Sequence, residues 1–281
     1  MAATRTQRKP SADSYEITHG GETRNLVRVT RVLSALAKPA LIPWAAGQER
    51  DAVLLALREI LARDPALLVH ASPETVVEAV QGRMGYARAH LKTTRDAMDI
   101  GTQAHALIQE KTIQMMGGES RGIGDVSDAA LSALILWEDW TQQVGFVPIL
   151  CEQRVYHWQI GYAGTVDCVA EITHHGERVR AMIDYKTGKA VYQEAHLQLA
   201  AYMGALEWMM AWAREEPIEQ AWIKTMGALA DVALIVRLPK TLDQDQFHAD
   251  RDVVEVTDWR SACDAFWALV EVWTWQMGCG P

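Results

Sequence analysis

The spacing of apolar positions changes character along the chain. Over residues 32–90 hydrophobic side chains recur at helical intervals, and Pro39, Pro43, Pro65 and the Ser72-Pro73 pair divide the run into several helices, the last with proline at a first helical position. Ahead of this run, residues 15–17 and 23–29 flank Gly20-Gly21, the pattern of a hairpin, and Thr30 stands where a helix N-cap is expected. Longer helices are predicted over 93–116, ending at Gly117-Gly118, and over 126–144. The pattern then switches. Residues 148–158, 163–173 and 178–185 are rich in β-branched and aromatic side chains, with turns at 160–161 and 174–176, and predict an antiparallel meander. A helix over 192–214, strands over 221–225 and 232–238, and a helix over 259–277 complete the pattern. His174-His175, at a turn, is expected to face solvent.

Composition narrows the class without naming a function. With 281 residues, 49% hydrophobic and 22% charged, the chain is long enough for a sizeable core and resembles neither a disordered segment nor a coiled coil. No apolar run is long enough to cross a bilayer, and the polar, basic first ten residues do not read as a secretory leader, so a cytoplasmic location and no membrane partner are expected. Cys151, Cys168, Cys263 and Cys279 form no CxxC pair, which argues for buried thiols over a zinc knuckle or disulfide framework. The net charge of -9 suits a broad nucleic-acid saddle poorly. It is uneven, however: residues 1–50 hold eight Lys/Arg against four Asp/Glu, and residues 241–281 hold two against eight. Whole-chain charge is therefore a poor guide to a local site.

Candidate chemistry gathers on the predicted meander. Asp184 and Lys186 lie two apart on a strand and share a face, near a strand end at Thr187-Gly188. Such a triplet arises by chance about once in a chain of this length and means little alone. Asp167, closing Gly164-Thr165-Val166-Asp167 on the preceding strand between apolar neighbours, changes its weight. Two carboxylates facing each other across paired strands repel unless a divalent cation lies between them, and oxygen donors favour magnesium or manganese. Glu152, on the strand before, either supports these acids or is a surface charge. Gln198 and Tyr202, four apart on a helix, share a face and offer an amide and a phenol to a phosphate or base, or are an ordinary surface Gln and core-boundary Tyr. Trp208, Trp212, Trp267 and Trp273 recur at helical spacing and read as packing rather than base-stacking residues.

Four motifs in order now resemble a family: GTxxH at Gly101 to His105, GxxD at Gly164 to Asp167, DYK at Asp184 to Lys186, and QxxxY at Gln198 to Tyr202. Over residues 93–240 the chain resembles the RecB-like branch of the PD-(D/E)XK nucleases, and VTRVLSALAKPALIPW at Val29 to Trp44 is similar to phage members. The resemblance implies an α/β fold with a restriction-endonuclease-like core, a central mixed sheet flanked by helices, and an N-terminal helical subdomain. On that plan residues 1–12 are a flexible tail, 13–92 hairpin and helical subdomain, 93–240 the nuclease core and 241–281 a C-terminal helical segment. It also implies that Asp167, Asp184, the backbone carbonyl of Tyr185 and the imidazole of His105 bind one or two Mg2+ or Mn2+ ions. Lys186 would then position the attacking water, and Gln198 and Tyr202 would contact substrate. The implied activity is an exonuclease on single-stranded DNA or DNA ends. Alternatives are an endonuclease, a nuclease subunit of a recombination, helicase or CRISPR-adaptation complex, and a non-cleaving DNA-binding scaffold. Some relatives carry an iron-sulfur cluster, but Cys151 and Cys168 fall on core strands and only Cys263 and Cys279 are C-terminal, so no cluster is expected.

Overall fold

In the computed structural model, which describes residues 13–36, 38–84, 88–119, 122, 124–215, 222–240 and 248–278, the chain opens on a hairpin. Strands β1 (Ser14–His19) and β2 (Glu22–Arg28) pair antiparallel. Gly20 and Gly21, at φ 57° and 78°, supply the two left-handed positions that a type I′ turn needs. Helix α1 (Val29–Leu33) follows directly, with Arg28 at the N-cap position and no side-chain cap bond. Thr30 therefore lies inside the helix rather than capping it. Burial of Val29, Val32 and Leu33 sets where this short helix begins.

The chain divides into two compact units, Leu36–Ile100 and the remainder, Met1–Ala35 with Gly101–Pro281. In the smaller unit, α2 (Leu41–Arg63), α3 (Leu67–His70) and α4 (Pro73–Met84) precede α5 (Ala89–Met115), which runs on into the larger unit. Pro43 does not break a helix. It occupies the first turn of α2, where its missing N–H has no intrahelical acceptor. Pro73 opens α4 as expected, and the Ser72 hydroxyl accepts the Thr75 N–H at 3.3 Å.

The larger unit is built on one seven-stranded mixed sheet. After α6 (Asp128–Gln143), capped by Ser127, strands β3 (Val147–His157), β4 (Tyr162–His174) and β5 (Glu177–Lys186) form the antiparallel meander. Helix α7 (Gln193–Glu215) carries the chain to β6 (Val232–Arg237), parallel to β5, and β7 (Val253–Glu255) pairs antiparallel with β6. The order is β1-β2-β4-β5-β6-β7, with β3 on the other edge of β4. The expected strand over 221–225 is instead α8 (Trp222–Met226), and the C-terminal segment holds α9 (Ala249–Asp252) and β7 before α10 (Trp259–Gly278).

Both faces of the sheet are covered. Cys168, Ala170, Ile172, Ile183, Tyr185 and Leu234 pack with Ala104 and Ile108 of α5 and Ala133 and Trp137 of α6. Helix α7 lies against β3 to β6, with α10 packed on it. Trp208 and Trp212 pack against His19, and Trp267 against His157, so these tryptophans serve the core. Cys151, Cys168 and Cys263 are free and buried, whereas Cys279 lies outside the described residues. Among the described residues no helix is long and apolar enough to cross a membrane. His174 departs from expectation: its side chain is only 17% exposed and meets Glu255.

Candidate active site

The ladder of β4 leaves a gap where the motif residues fall. On the edge opposite β3, β2 pairs only with Tyr162 and Ala163, and β5 joins from Cys168 onward. Gly164 to Asp167 therefore lack a ladder partner on that edge. Beyond Ile183, β5 pairs with β6 alone, through Asp184, Tyr185 and Lys186. The two central strands thus fork, and the Asp167 carboxylate spans the fork by accepting the Tyr185 N–H at 2.9 Å. On β5 the Arg180 and Lys186 carbonyls accept N–H groups of Asp231 and Leu238 on the β6 side. Backbone alternation then turns the Tyr185 carbonyl, like its N–H, toward Asp167.

Three ligand-bearing side chains converge here. His105 on α5 brings Nδ1 to 3.5 Å from Asp167 Oδ2, and donor atoms of His105, Glu152 and Asp167 all lie within 4.8 Å of one another. The register on either side, Cys151 with Cys168 and Gln153 with Val166, sets Glu152 across from Asp167. Glu152 itself sits at φ 52°, a left-handed conformation uncommon for a residue with a side chain and one that aims it out of the ordinary alternation. Burial, and then the Asp167 carboxylate, raise its pKa to about 7, with His105 pulling the other way. Glu152 is thus a member of the cluster in mid-strand, a closer role than its sequence position conveys.

Asp184 is 1% exposed and stands apart from that trio. Lys186 Nζ forms an ion pair with its Oδ2 at 2.6 Å, whereas the buried Oδ1 lacks a hydrogen-bond partner. Burial lifts the Asp184 pKa; Lys186 opposes and Asp167 adds to it. Burial alone would lower the Lys186 pKa, but Asp184 and Asp167 more than reverse this and hold it protonated. A buried carboxylate oxygen without a hydrogen-bond partner, beside a second carboxylate and an imidazole, fits a divalent cation.

The helix-borne pair joins this network through lysine. Gln198 Oε1 accepts from Lys186 Nζ at 3.2 Å, and Gln198 Nε2 donates to the Tyr202 hydroxyl at 3.0 Å. Tyr202 is only 4% exposed, so its phenol reaches the site through Gln198. The motif glycines have steric reasons. A Cβ at Gly164 would enter the Tyr202 ring, and one at Gly101 would press within 3.3 Å of Thr187 Oγ1, so both glycines let helices approach the strand ends.

A group of side chains on Thr165, two residues before Asp167, has no counterpart in the motifs. Tyr15 on β1 hydrogen-bonds Thr165 at 3.2 Å, and its ring is flanked by Arg28 at 4.4 Å and Arg154 at 4.5 Å. Neither arginine has a carboxylate partner among the described residues, and the buried Arg28 Nε has no acceptor. Their spacing in sequence gives no signal, because they meet only through the pairing of β2 and β3 with β4. On β6, at the position paired with Lys186, the buried Arg237 binds Asp252 Oδ1 at 2.7 Å and the Lys189 carbonyl at 3.4 Å, tying the loop after β5 to α9.

A family model described as the PD-(D/E)XK nuclease superfamily matches residues 67–268 of the chain. A search of curated proteins gives no match.

Proposed function

Because the chain belongs to the PD-(D/E)XK nuclease superfamily, a family of metal-dependent nucleases, we propose that it is a magnesium- or manganese-dependent deoxyribonuclease acting from the ends of single-stranded or frayed DNA. The observation that carries this reading is the buried Asp184 carboxylate, with Oδ1 lacking a hydrogen-bond partner and Oδ2 held by Lys186, beside the cluster of His105, Glu152 and Asp167. Carboxylate and carbonyl oxygens with one imidazole suit Mg2+ or Mn2+. The proposed ligands are Asp167, Asp184, the Tyr185 carbonyl and His105, with Glu152 supporting them. A cation held there would lower the pKa of bound water and stabilise charge on the scissile phosphate.

The chain's own residues supply the remainder. Lys186, held protonated by two carboxylates, orients the water or neutralises charge on a phosphate oxygen, and its raised pKa argues against a role as base. Gln198 holds the Lys186 ammonium and keeps one amide N–H for substrate, and Tyr202 fixes Gln198. Arg28 and Arg154, without carboxylate partners, suit a phosphodiester chain entering beside Thr165. Preference for ends, a RecB-like relationship and a setting in phage or recombination chemistry rest on the four motifs in order.

The test uses end-labelled linear single- and double-stranded DNA and a closed circle, with Mg2+, Mn2+ or chelator, and Asp184→Ala as control. Loss of linear DNA alone, dependent on metal and on Asp184, is the expected result. Cutting of the circle would replace the exonuclease reading with an endonuclease, and equal activity in Asp184→Ala would remove the site. A second reading, a nuclease subunit working with a helicase or recombination partner, is favoured by the smaller unit. Among its described residues Ala56 is the one buried hydrophobic, whereas Leu41, Ile42, Leu54, Leu55 and Val69 are each more than half exposed.

A further inference from the structure

Seven residues along β4 from Asp167, about 23 Å at ~3.3 Å per residue, the chain turns into β5 at His174, His175 and Gly176. Two successive side chains on a strand point to opposite faces. His175 lies just past the strand, in the turn, where a left-handed backbone, φ 50°, leaves its ring 4.0 Å from the ring of His174. Both imidazoles then meet the same carboxylate oxygen on β7: His174 Nε2 lies 2.9 Å and His175 Nε2 3.8 Å from Glu255 Oε2. All three donor atoms fall within 4.8 Å of one another.

The turn itself fixes this placement: His174 pairs with Glu177, so His175 and Gly176, at φ 50° and 83°, form a two-residue hairpin loop with both positions left-handed.

We propose that His174, His175 and Glu255 form a second cation site, separate from the nuclease centre and selective for zinc-class divalent ions. Two imidazoles and one carboxylate favour Zn2+, Co2+ or Ni2+ over Mg2+ and Mn2+. Around a tetrahedral zinc with ligands near 2.0–2.1 Å, neighbouring donor atoms stand roughly 3.3–3.4 Å apart. The observed 2.9 and 3.8 Å bracket that value, so modest side-chain rotations close the set. His175 is 81% exposed, which leaves the remaining coordination position to water and makes the ion exchangeable. An ion there joins the β4–β5 turn to β7, so it stabilises the sheet without touching substrate.

The test is zinc titration by calorimetry on the chelator-stripped full chain carrying Asp167→Asn, which disables the other cluster. His175→Asn, whose amide side chain tolerates the left-handed backbone, and Glu255→Gln are then added singly, with circular dichroism to verify folding. One zinc per chain is expected, weakened by roughly tenfold or more in each variant, and a zinc-dependent rise in thermal midpoint that both variants lose. With Asp167 intact, His175→Asn should leave magnesium-supported cleavage unchanged. No zinc binding in the Asp167→Asn chain, or an affinity that neither substitution alters, overturns the site.

Discussion

An ionised carboxylate in the interior costs several kcal/mol unless it is paired and hydrogen-bonded, and at Asp184 the Lys186 ammonium is the near compensation. The two residues should therefore respond oppositely when metal is absent. Asp184→Asn removes a buried charge and keeps the shape, so nuclease activity should fall on the order of 10²–10³-fold while the thermal midpoint in chelator holds or rises. Lys186→Met leaves the charge unpaired, and stability should fall by about 3 kcal/mol; adding Asp184→Asn should restore most of it. A Lys186→Met protein as stable as the parent would contradict the pairing. His157 makes a second residue-level case. It is 5% exposed, ringed by Tyr162, Trp208 and Trp267, and its Nδ1 accepts the Ile160 N–H at 3.3 Å, a bond that protonation would break. Burial lowers its pKa from 6.5 to about 4. A group with a depressed folded pKa contributes stability above its unfolded value and loses it as pH falls. Urea midpoints should thus drop between pH 7 and pH 4, by up to about 3 kcal/mol from this residue, and His157→Gln should flatten that slope. Asp167, Asp184 and Lys186 were legible in the sequence because carboxylates between apolar strand positions are conspicuous. Glu152 could be read only as either support or surface charge, because a left-handed φ leaves no local pattern, and the pair Arg28 and Arg154 gave no signal, because they meet only through contacts such as that of Tyr15 with Thr165.

Among the elements, the motifs prove to be interlocking surfaces. Gly164 lies in the gap between β2 and β5 and accepts the Tyr202 ring of α7, which in turn holds Gln198 and Lys186. Gly164→Ala should therefore cost about 1–3 kcal/mol by overpacking, and its effect on cleavage should exceed that of a neutral surface change. Tyr202→Ala vacates the ring, so in a double-mutant cycle the cost of Gly164→Ala should shrink markedly in that background; additive costs would mean that the two do not meet. The meander, the Gly20-Gly21 hairpin and α7 followed from period and turn chemistry because each is long or sharply punctuated. Failures fell on short elements. Helix α8 spans only Trp222–Met226, too few residues for a 3.6-residue period to emerge, and its Trp222 and Ile223 read as strand formers. Strand β7 is three residues long and exists through its pairing with β6, which no local signal announces.

Across the whole molecule, a net charge of -9 should repel a polyanion, yet the family is one of nucleases. The conflict eases if the substrate meets only a local field. The described carboxylates nearest the fork are drawn into the cluster with His105 or paired with Lys186, while Arg28 and Arg154 stand beside Thr165 without carboxylate partners. Residues 241–281 hold two Lys/Arg against eight Asp/Glu, and one of those acids, Asp252, is already buried against Arg237. Exposed charges more than about 10 Å apart are largely screened at 0.1 M salt, so the net charge of the whole chain acts weakly on a bound strand. Binding should then be governed by few phosphate contacts and show a shallow salt dependence. With Asp184→Asn preventing cleavage, the plot of log affinity for single-stranded DNA against log salt should lose about 0.7 in slope when Arg154 becomes alanine, the value for one released counterion. Glu271→Gln, on α10, should leave that slope unchanged. Equal effects from the two substitutions would mean that total charge, rather than the arginine wall beside β4, controls how DNA reaches the site.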